Sequence, residues 1–232
     1  MSHSPCRVLD LKAAVLCLRR GGVLIFPTET FYGLGCLAAD GEAVARIYQL
    51  KRRPVQQPLP LLAADVAQAE AVARLEAAPP ELLAAFWPGP LTVLLPARAA
   101  DVAQGGARGL PAAVLNGEGK VAVRVTPHSL AARLALLAGG ALTASSANLS
   151  GRAPARHWKD LAPELLAALA ELGDLGGLLP AGRGGEQPAG GAPSTLVEPL
   201  EDAERGGQKR LRLLRAGAIS AQALARAGFM CV

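Results

Sequence analysis

The sequence predicts an α/β protein, an open sheet covered by helices. Three observations lead there. Short apolar runs of strand length alternate with longer stretches of helical period along the chain. Hydrophobic residues make up 51% of 232 residues, which argues against disorder and suffices for a core without disulfide or metal staples. Aromatics are only 3%, so that core must be aliphatic, with Ala/Leu helices packed on Val/Leu strands. No internal repeat and no clear linker divides the chain, so one domain is expected over 1–232, its core about 10–220.

The elements follow in order. Gly21-Gly22 precede Val23–Phe26, a continuous apolar run stopped by Pro27, which reads as a buried strand. Pro27–Gly35 (PTETFYGLG), rich in hydroxyls and glycine, reads as a loop. Asp40 is a fitting N-cap for a helix carrying Val44, Ile47 and Tyr48 at helical spacing. That helix ends near Lys51, because Pro54 bars continuation and biases Arg53 towards extended backbone. Pro58–Leu62 is the next strand. Asp65 caps a helix to about Ala78, and Pro79-Pro80 start a shorter one ending at Trp87. Leu91–Leu95 is a strand, and Ala97–Gly119 a long irregular connection. In Val121–Val125 the valines face one side, Ala122 and Arg124 the other. Ser129 caps a helix to about Ala138, followed by a strand over Gly140–Ala144, a loop over Ser145–Gly151 and a helix over Asp160–Leu172. Gly173–Gly191 reads as a mobile, glycine-rich segment and the candidate lid. Ser194–Val197 and Leu211–Leu214 are late strands, and a last helix starts at Ser220.

Composition narrows the function. A net charge of +5 permits a polyanionic partner, nucleotide or nucleic acid, without choosing between them. Cys6, Cys17, Cys36 and Cys231 are scattered, which fits neither a zinc framework nor a secreted disulfide scaffold. Free thiols point to a reducing compartment, hence a cytoplasmic location. The apolar stretch Ala13–Leu18, ending in Arg19-Arg20, is too short and wrongly flanked for a signal peptide. No run approaches the roughly 20 apolar residues of a membrane span.

Several chemistries are excluded by missing motifs. Gly119-Lys120 is followed by Val121, so no P-loop is present. His3, His128 and His157 form no H-E-x-x-H, and no metal-ligating set emerges. Gly33–Ala38 matches G-x-G-x-x-A after a strand, but the acidic residue expected about 20 positions on is missing, which rejects a nicotinamide site.

Three features remain. Residues 43–64 contain no Asp or Glu but hold Arg46 and Lys51-Arg52-Arg53. Cations suit a helix C-terminus through its dipole alone. In an extended segment, however, Lys51 and Arg53 would share one face and could hold a triphosphate. Ser145–Asn148 is a small hydroxyl and amide loop that can bind phosphate or ribose oxygens, though an ordinary turn has the same composition. Thr28-Glu29-Thr30 with Tyr32 follows the first strand, where open α/β sheets bind ligands, and a polar turn again explains it equally.

Together and in order, these segments resemble the YrdC/TsaC family of threonylcarbamoyl-AMP synthases over nearly the whole chain. PTETFYGLG (27–35) is similar to P-T-[DE]-T-x-Y-G-L-G, and Lys51–Pro54 with Pro58-Leu59 to K-x-R-P…P-L. WPGPLT (87–92), VAVRVTPH (121–128), SANLSG (146–151), PSTLV (193–197) and RAGAI (215–219) complete the set. Seven segments in family order are far more specific than any one of them.

The resemblance implies a YrdC/RibB-like fold, a twisted, open, mixed sheet with surrounding helices and a basic concave cleft. It implies the synthesis of threonylcarbamoyl-AMP and pyrophosphate from L-threonine, bicarbonate and ATP, with Mg²⁺ arriving on ATP. The product would go to a downstream transferase complex that modifies adenosine 37 of tRNAs reading ANN codons. By the same likeness Lys51 and Arg53 are the catalytic phosphate ligands, Ser146 and Asn148 contact the nucleotide, and Ser194 and Arg215 close over the phosphates. Thr28 and Thr30 line the threonine or carbamate pocket. Arg124 binds a carboxylate or sits in a structural ion pair. Ala63 and Ala64 stand where many relatives carry His, Ala216 stands where Pro is usual, and the chain is expected to be of the short type. Two other readings stay open: a non-catalytic module binding tRNA or double-stranded RNA, and a paralogue with another carbamoyl or acyl acceptor.

Overall fold

The computed structural model describes residues 6–98, 109–149, 151–182, 185–200 and 209–232. Helix α1 (Leu11–Arg19) opens it, capped by Asp10, whose carboxylate accepts from Ala13 N at 2.8 Å. The sequence reading saw here only a short apolar stretch. Strand β1 (Val23–Pro27) is buried throughout. The segment expected as a loop, Pro27–Gly35, is instead a hairpin: β2 (Tyr32–Gly35) runs antiparallel to β1, with Leu24 opposite Gly35 and Pro27 opposite Tyr32. Its glycines imitate turn residues for a steric reason, since a Cβ on Gly35 would sit 1.8 Å from the Thr143 carbonyl oxygen.

Helix α2 (Gly41–Lys51) has the expected Asp40 cap. Its end differs from expectation. Lys51 is its last residue and Arg52 adopts a left-handed conformation, φ 49°, so Lys51 and Arg52 do not lie in an extended segment. Strand β3 (Leu61–Ala63) starts later than predicted. The helix expected to about Ala78 stops early, as α3 (Val66–Glu70), and Ala73 instead bridges to Ala97. Helix α4 (Pro80–Phe86) and strand β4 (Leu91–Pro96) are as read. The irregular connection 97–119 falls partly outside the described residues, its described part holding one 3₁₀ turn at Ala112–Val114.

Strand β5 (Lys120–Val125) leads to α5 (Ser129–Ala138), whose N-cap is His128, not Ser129. Strands β6 (Leu142–Thr143) and β7 (Ser145–Ser146) are two residues each, so the predicted loop at 145 begins as a strand. Helix α6 (Pro163–Ala170) is shorter than predicted. Strand β8 (Gly176–Leu178) lies fully buried in the segment expected to be mobile. Its glycines admit close neighbours: a Cβ on Gly176 would meet the Leu169 carbonyl oxygen at 2.0 Å. Strands β9 (Thr195–Pro199) and β10 (Lys209–Arg215), helix α7 (Ala221–Arg226) and an unpredicted β11 (Phe229–Cys231) complete the chain.

The strands form two mixed sheets, β7-β2-β1-β8 and β11-β10-β9-β4-β5-β3-β6. They meet at one corner. Thr143 at the end of β6 exchanges bonds with Cys36, while Ser145 and Ser146 one step on pair with Leu34 and Gly33 of β2. Ala144 N, between them, bonds the Pro60 carbonyl at 2.8 Å. The expected α/β fold with twisted open sheets and surrounding helices is therefore what forms. The core is aliphatic, with Val23, Ile25, Leu34, Leu61, Val93 and Val123 all at 0% exposure.

Candidate active site

The ends of several strands converge on a cavity of about 100 Å³. It is lined by Thr28 and Thr30 from the β1–β2 turn, Arg53 after α2, Arg124 of β5, Ser146 of β7, Ser194 before β9 and Arg215 at the end of β10. Seven of the nine residues expected at the site thus meet there; Lys51 and Asn148 stand behind it.

The turn is self-bonded. Thr28 Oγ1 donates to the Phe31 carbonyl at 2.7 Å and lies 3.4 Å from Thr30 Oγ1. Glu29, between the threonines, turns away into a buried pair: Arg124 Nε donates to its Oε1 at 2.7 Å, and Thr126 Oγ1 to its Oε2 at 2.7 Å. Arg124 therefore does sit in an ion pair, but only through Nε. Among the described residues its two terminal nitrogens have no protein partner, although the residue is 4% exposed and lines the cavity. A buried, unsatisfied guanidinium fork facing a cavity is a receptor for an anion.

Two further guanidiniums face the same space. Arg53 is steered by the Gln57 and Pro58 carbonyls, which accept from Nε at 2.9 Å and Nη2 at 3.3 Å. Arg215 grips Ser194, donating to its carbonyl from Nε at 3.1 Å and Nη2 at 2.8 Å and to its hydroxyl at 2.9 Å. Burial, then the charges of Arg124 and Arg53, push the Arg215 pKa down. Three like charges around one cavity, with Glu29 the one carboxylate paired to any of them among the described residues, make it strongly attractive to anions.

Lys51 is placed differently from the phosphate-facing position its motif suggests. It is 4% exposed, and Nζ donates to the carbonyls of Ser146 and Asn148, the latter at 2.9 Å. Burial, then the charge of Arg53, lower its pKa to about 8. Here Lys51 braces the loop. Asn148 accepts from the Ser146 hydroxyl and donates to the carbonyls of Leu149 and Arg152. A larger groove of about 670 Å³ lies on the other side of Lys51, between α2 and α6, but of the nine expected residues it touches Lys51 alone. Seven of the other eight expected residues gather instead at the small cavity.

Among the described residues no three His, Cys, Asp or Glu cluster as metal ligands. Glu29 has both oxygens committed, and among the described residues no carboxylate lines the cavity. No helix among the described residues is long and apolar enough to cross a membrane. The sequence reading did not single out Glu29 as a partner of Arg124, nor Thr92 and Thr126. Glu29, Thr92 and Thr126 all lie inside motifs already recognised, which was the available signal.

Fold and site together define an α/β protein with two mixed sheets and a cavity lined by three arginines. The chain belongs to the Sua5/YciO/YrdC family, whose profile, described as telomere recombination, matches residues 17–217. A threonylcarbamoyl-AMP synthase of Stenotrophomonas maltophilia is 41% identical over 175 residues, 73% of this chain and 89% of the relative. Another, from Alkalilimnicola ehrlichii, is 44% identical over 159 residues, 68% of this chain and 78% of the relative. Among solved structures, P. abyssi Sua5 complexed with L-threonine superposes with a TM-score of 0.73 at 29% identity. That match covers 97% of this chain but 60% of the matched one.

Proposed function

We propose that this chain is a threonylcarbamoyl-AMP synthase, a nucleotidyltransferase joining L-threonine, bicarbonate and ATP. The observation that carries the reading is the arginine triad around a cavity bordered by two threonine hydroxyls, in a chain whose relatives bear that name. Threonine and bicarbonate condense to a carbamate with loss of water. A carbamate oxygen attacks the α-phosphorus of ATP, the α–β bridging bond breaks, and pyrophosphate leaves.

The chain's part is positioning and charge neutralisation. Arg124 holds the amino-acid carboxylate through its two free nitrogens, with Thr28 and Thr30 beside it. Arg53 and Arg215 hold phosphate oxygens, and Ser194 donates to the same group of anions. The exposed Ser146, with Asn148, marks where the nucleotide leaves the cavity. Bound with ATP, Mg²⁺ would supply charge neutralisation to the leaving pyrophosphate, and no carboxylate among the described lining residues would ligate it. The product would pass, in the cytoplasm, to a transferase complex acting on adenosine 37 of ANN-decoding tRNAs.

Chromatography of reactions lacking one component at a time tests the proposal. The adenylate and pyrophosphate should appear only with ATP, Mg²⁺, bicarbonate and L-threonine together, and a chelator should abolish both. ATP turnover with another acceptor instead would move the chain to a paralogue. No turnover in any mixture, with tight RNA binding, would replace the enzyme by a binding module.

A further inference from the structure

We propose that Thr92 is a positioning residue, which holds the Ser194 hydroxyl so that its hydrogen is aimed into the cavity as a donor to an anionic oxygen of the ligand. The inference rests on the synthase reading only for the ligand's identity. Thr92 is 0% exposed, in the middle of the large sheet, and does not line the cavity. It comes from the WPGPLT segment, to which the proposed reaction gives no task.

Hydrogen-bond polarity carries the argument. Thr92 Oγ1 lies 2.8 Å from Ser194 Oγ, its one side-chain bond among the described residues. Arg215 Nη2 also bonds Ser194 Oγ, at 2.9 Å, and a guanidinium can only donate. A buried hydroxyl hydrogen needs an acceptor, and Ser194 Oγ is the one within reach of Thr92. Thr92 therefore donates. Ser194 Oγ, accepting from both Thr92 and Arg215, has its two lone pairs filled, and its single hydrogen is left over. Ser194 is 4% exposed and lines the cavity, so that hydrogen finds its acceptor there. The result is a donor of fixed polarity beside Arg215, matched to an oxyanion and mismatched to a cation or an amine.

The backbone around the trio is tightly determined. Thr195 N bonds the Pro90 carbonyl at 2.9 Å, and Trp87 Nε1 bonds the Leu91 carbonyl at 2.8 Å, so the segment delivering Thr92 is tied to the one delivering Ser194. Ala218 N bonds the Pro193 carbonyl at 2.8 Å, which ties the Arg215 segment to the same point. Three motifs distant in sequence thus build one donor.

The oxyanion could be an amino-acid carboxylate or a phosphate, and the test separates them. Calorimetric titration with L-threonine and with inorganic pyrophosphate, plus thermal denaturation, would be run on wild type, Thr92→Val and Thr92→Ser. Valine keeps the shape and loses the hydroxyl; serine keeps the hydroxyl and loses the buried methyl. Thr92→Val is expected to melt at or above the wild-type temperature, yet to bind one of the two anions about tenfold more weakly. Thr92→Ser is expected to melt lower and to retain most of that affinity. The anion that weakens identifies the oxygen Ser194 meets. A purely structural role gives the opposite order, with binding following stability, and would overturn the inference. So would wild-type affinity for both anions in Thr92→Val, or a wild-type protein that binds neither. Because pyrophosphate binding needs no turnover, a wild type that binds it but makes no threonylcarbamoyl-AMP would sink the synthase reading and still test Thr92.

Discussion

Replacing Lys51 by methionine removes a charge from a place where charge is costly. Lys51 is 4% exposed, and burial followed by the nearby Arg53 lowers its pKa from 10.5 to about 8. The folded protein therefore binds this proton more weakly than the unfolded chain, by about 3 kcal/mol. Below pH 8 both states carry the proton and the folded state bears the whole cost. Between pH 8 and 10.5 the folded state has released it while the unfolded chain keeps it, so wild-type stability climbs; above 10.5 the cost is gone. Against this, methionine loses the charge-assisted bonds to the Ser146 and Asn148 carbonyls, worth about 1.5 to 3 kcal/mol each, and water can replace part of them because Ser146 is exposed. At pH 7 Lys51→Met should then lie within about 2 kcal/mol of wild type while losing adenylate synthesis. Urea unfolding of both proteins at pH 7 and pH 10 isolates the charge. Wild type should gain about 2 to 3 kcal/mol on the variant between those values. A difference that stays constant with pH would refute the buried, costly ammonium, and undiminished turnover in the variant would refute its task.

Other outcomes follow from the same geometry. Glu29→Gln keeps one acceptor for Arg124 Nε but turns an amide NH2 toward Thr126 Oγ1, which must then accept, and it removes the charge that fixes the Arg124 fork, so the KM for threonine should rise about tenfold while that for ATP changes little; separate substrate titrations check it, and equal rises would count against it. Gly217→Ala would put a Cβ 2.3 Å from the Pro193 carbonyl oxygen and 2.6 Å from Thr195 N, prising apart the segment that places Ser194. A loss of about 2 kcal/mol by denaturant titration is expected, whereas Gly117→Ala, with no heavy atom within 4 Å of the new Cβ, serves as the near-neutral control. Burial raises the Cys6 pKa to about 11 and the Cys36 pKa to about 12, so iodoacetamide at pH 8 should spare both in the native protein and label them in urea. Rapid native labelling of Cys36 would contradict its packing.

The parts of the fold legible in the sequence are those with local causes. Asp40 and Asp65 cap helices because a carboxylate three residues before an open N–H acts within one turn. The run Val23–Phe26 needs only its apolarity to be a buried strand. Strands β2 and β8 were not legible, because their glycines signal turns locally and are required instead by a second strand or helix pressing on the backbone. The exchange of Ser129 for His128 as cap depends on the ring, whose Nδ1 accepts from Ala131 N at 3.4 Å.

The site divides in the same way. The sequence by itself determined the family, the α/β class and the identities of the residues around the cavity, because the motifs are local strings whose order along the chain marks the family even where each alone reads as a turn. Only the tertiary structure decided how those groups face one another. It aimed Lys51, the last residue of α2, at the Ser146 and Asn148 carbonyls. It paired Glu29 with Arg124 across 95 residues of chain, leaving the fork of Arg124 free. It set Thr92 behind Ser194 across 102 residues, giving that hydroxyl its direction. Such pairings depend on through-space distances of 2.7 to 2.9 Å that close only when strands from both ends of the chain lie side by side. A one-dimensional pattern carries residue identity and local period, and it carries no such distance.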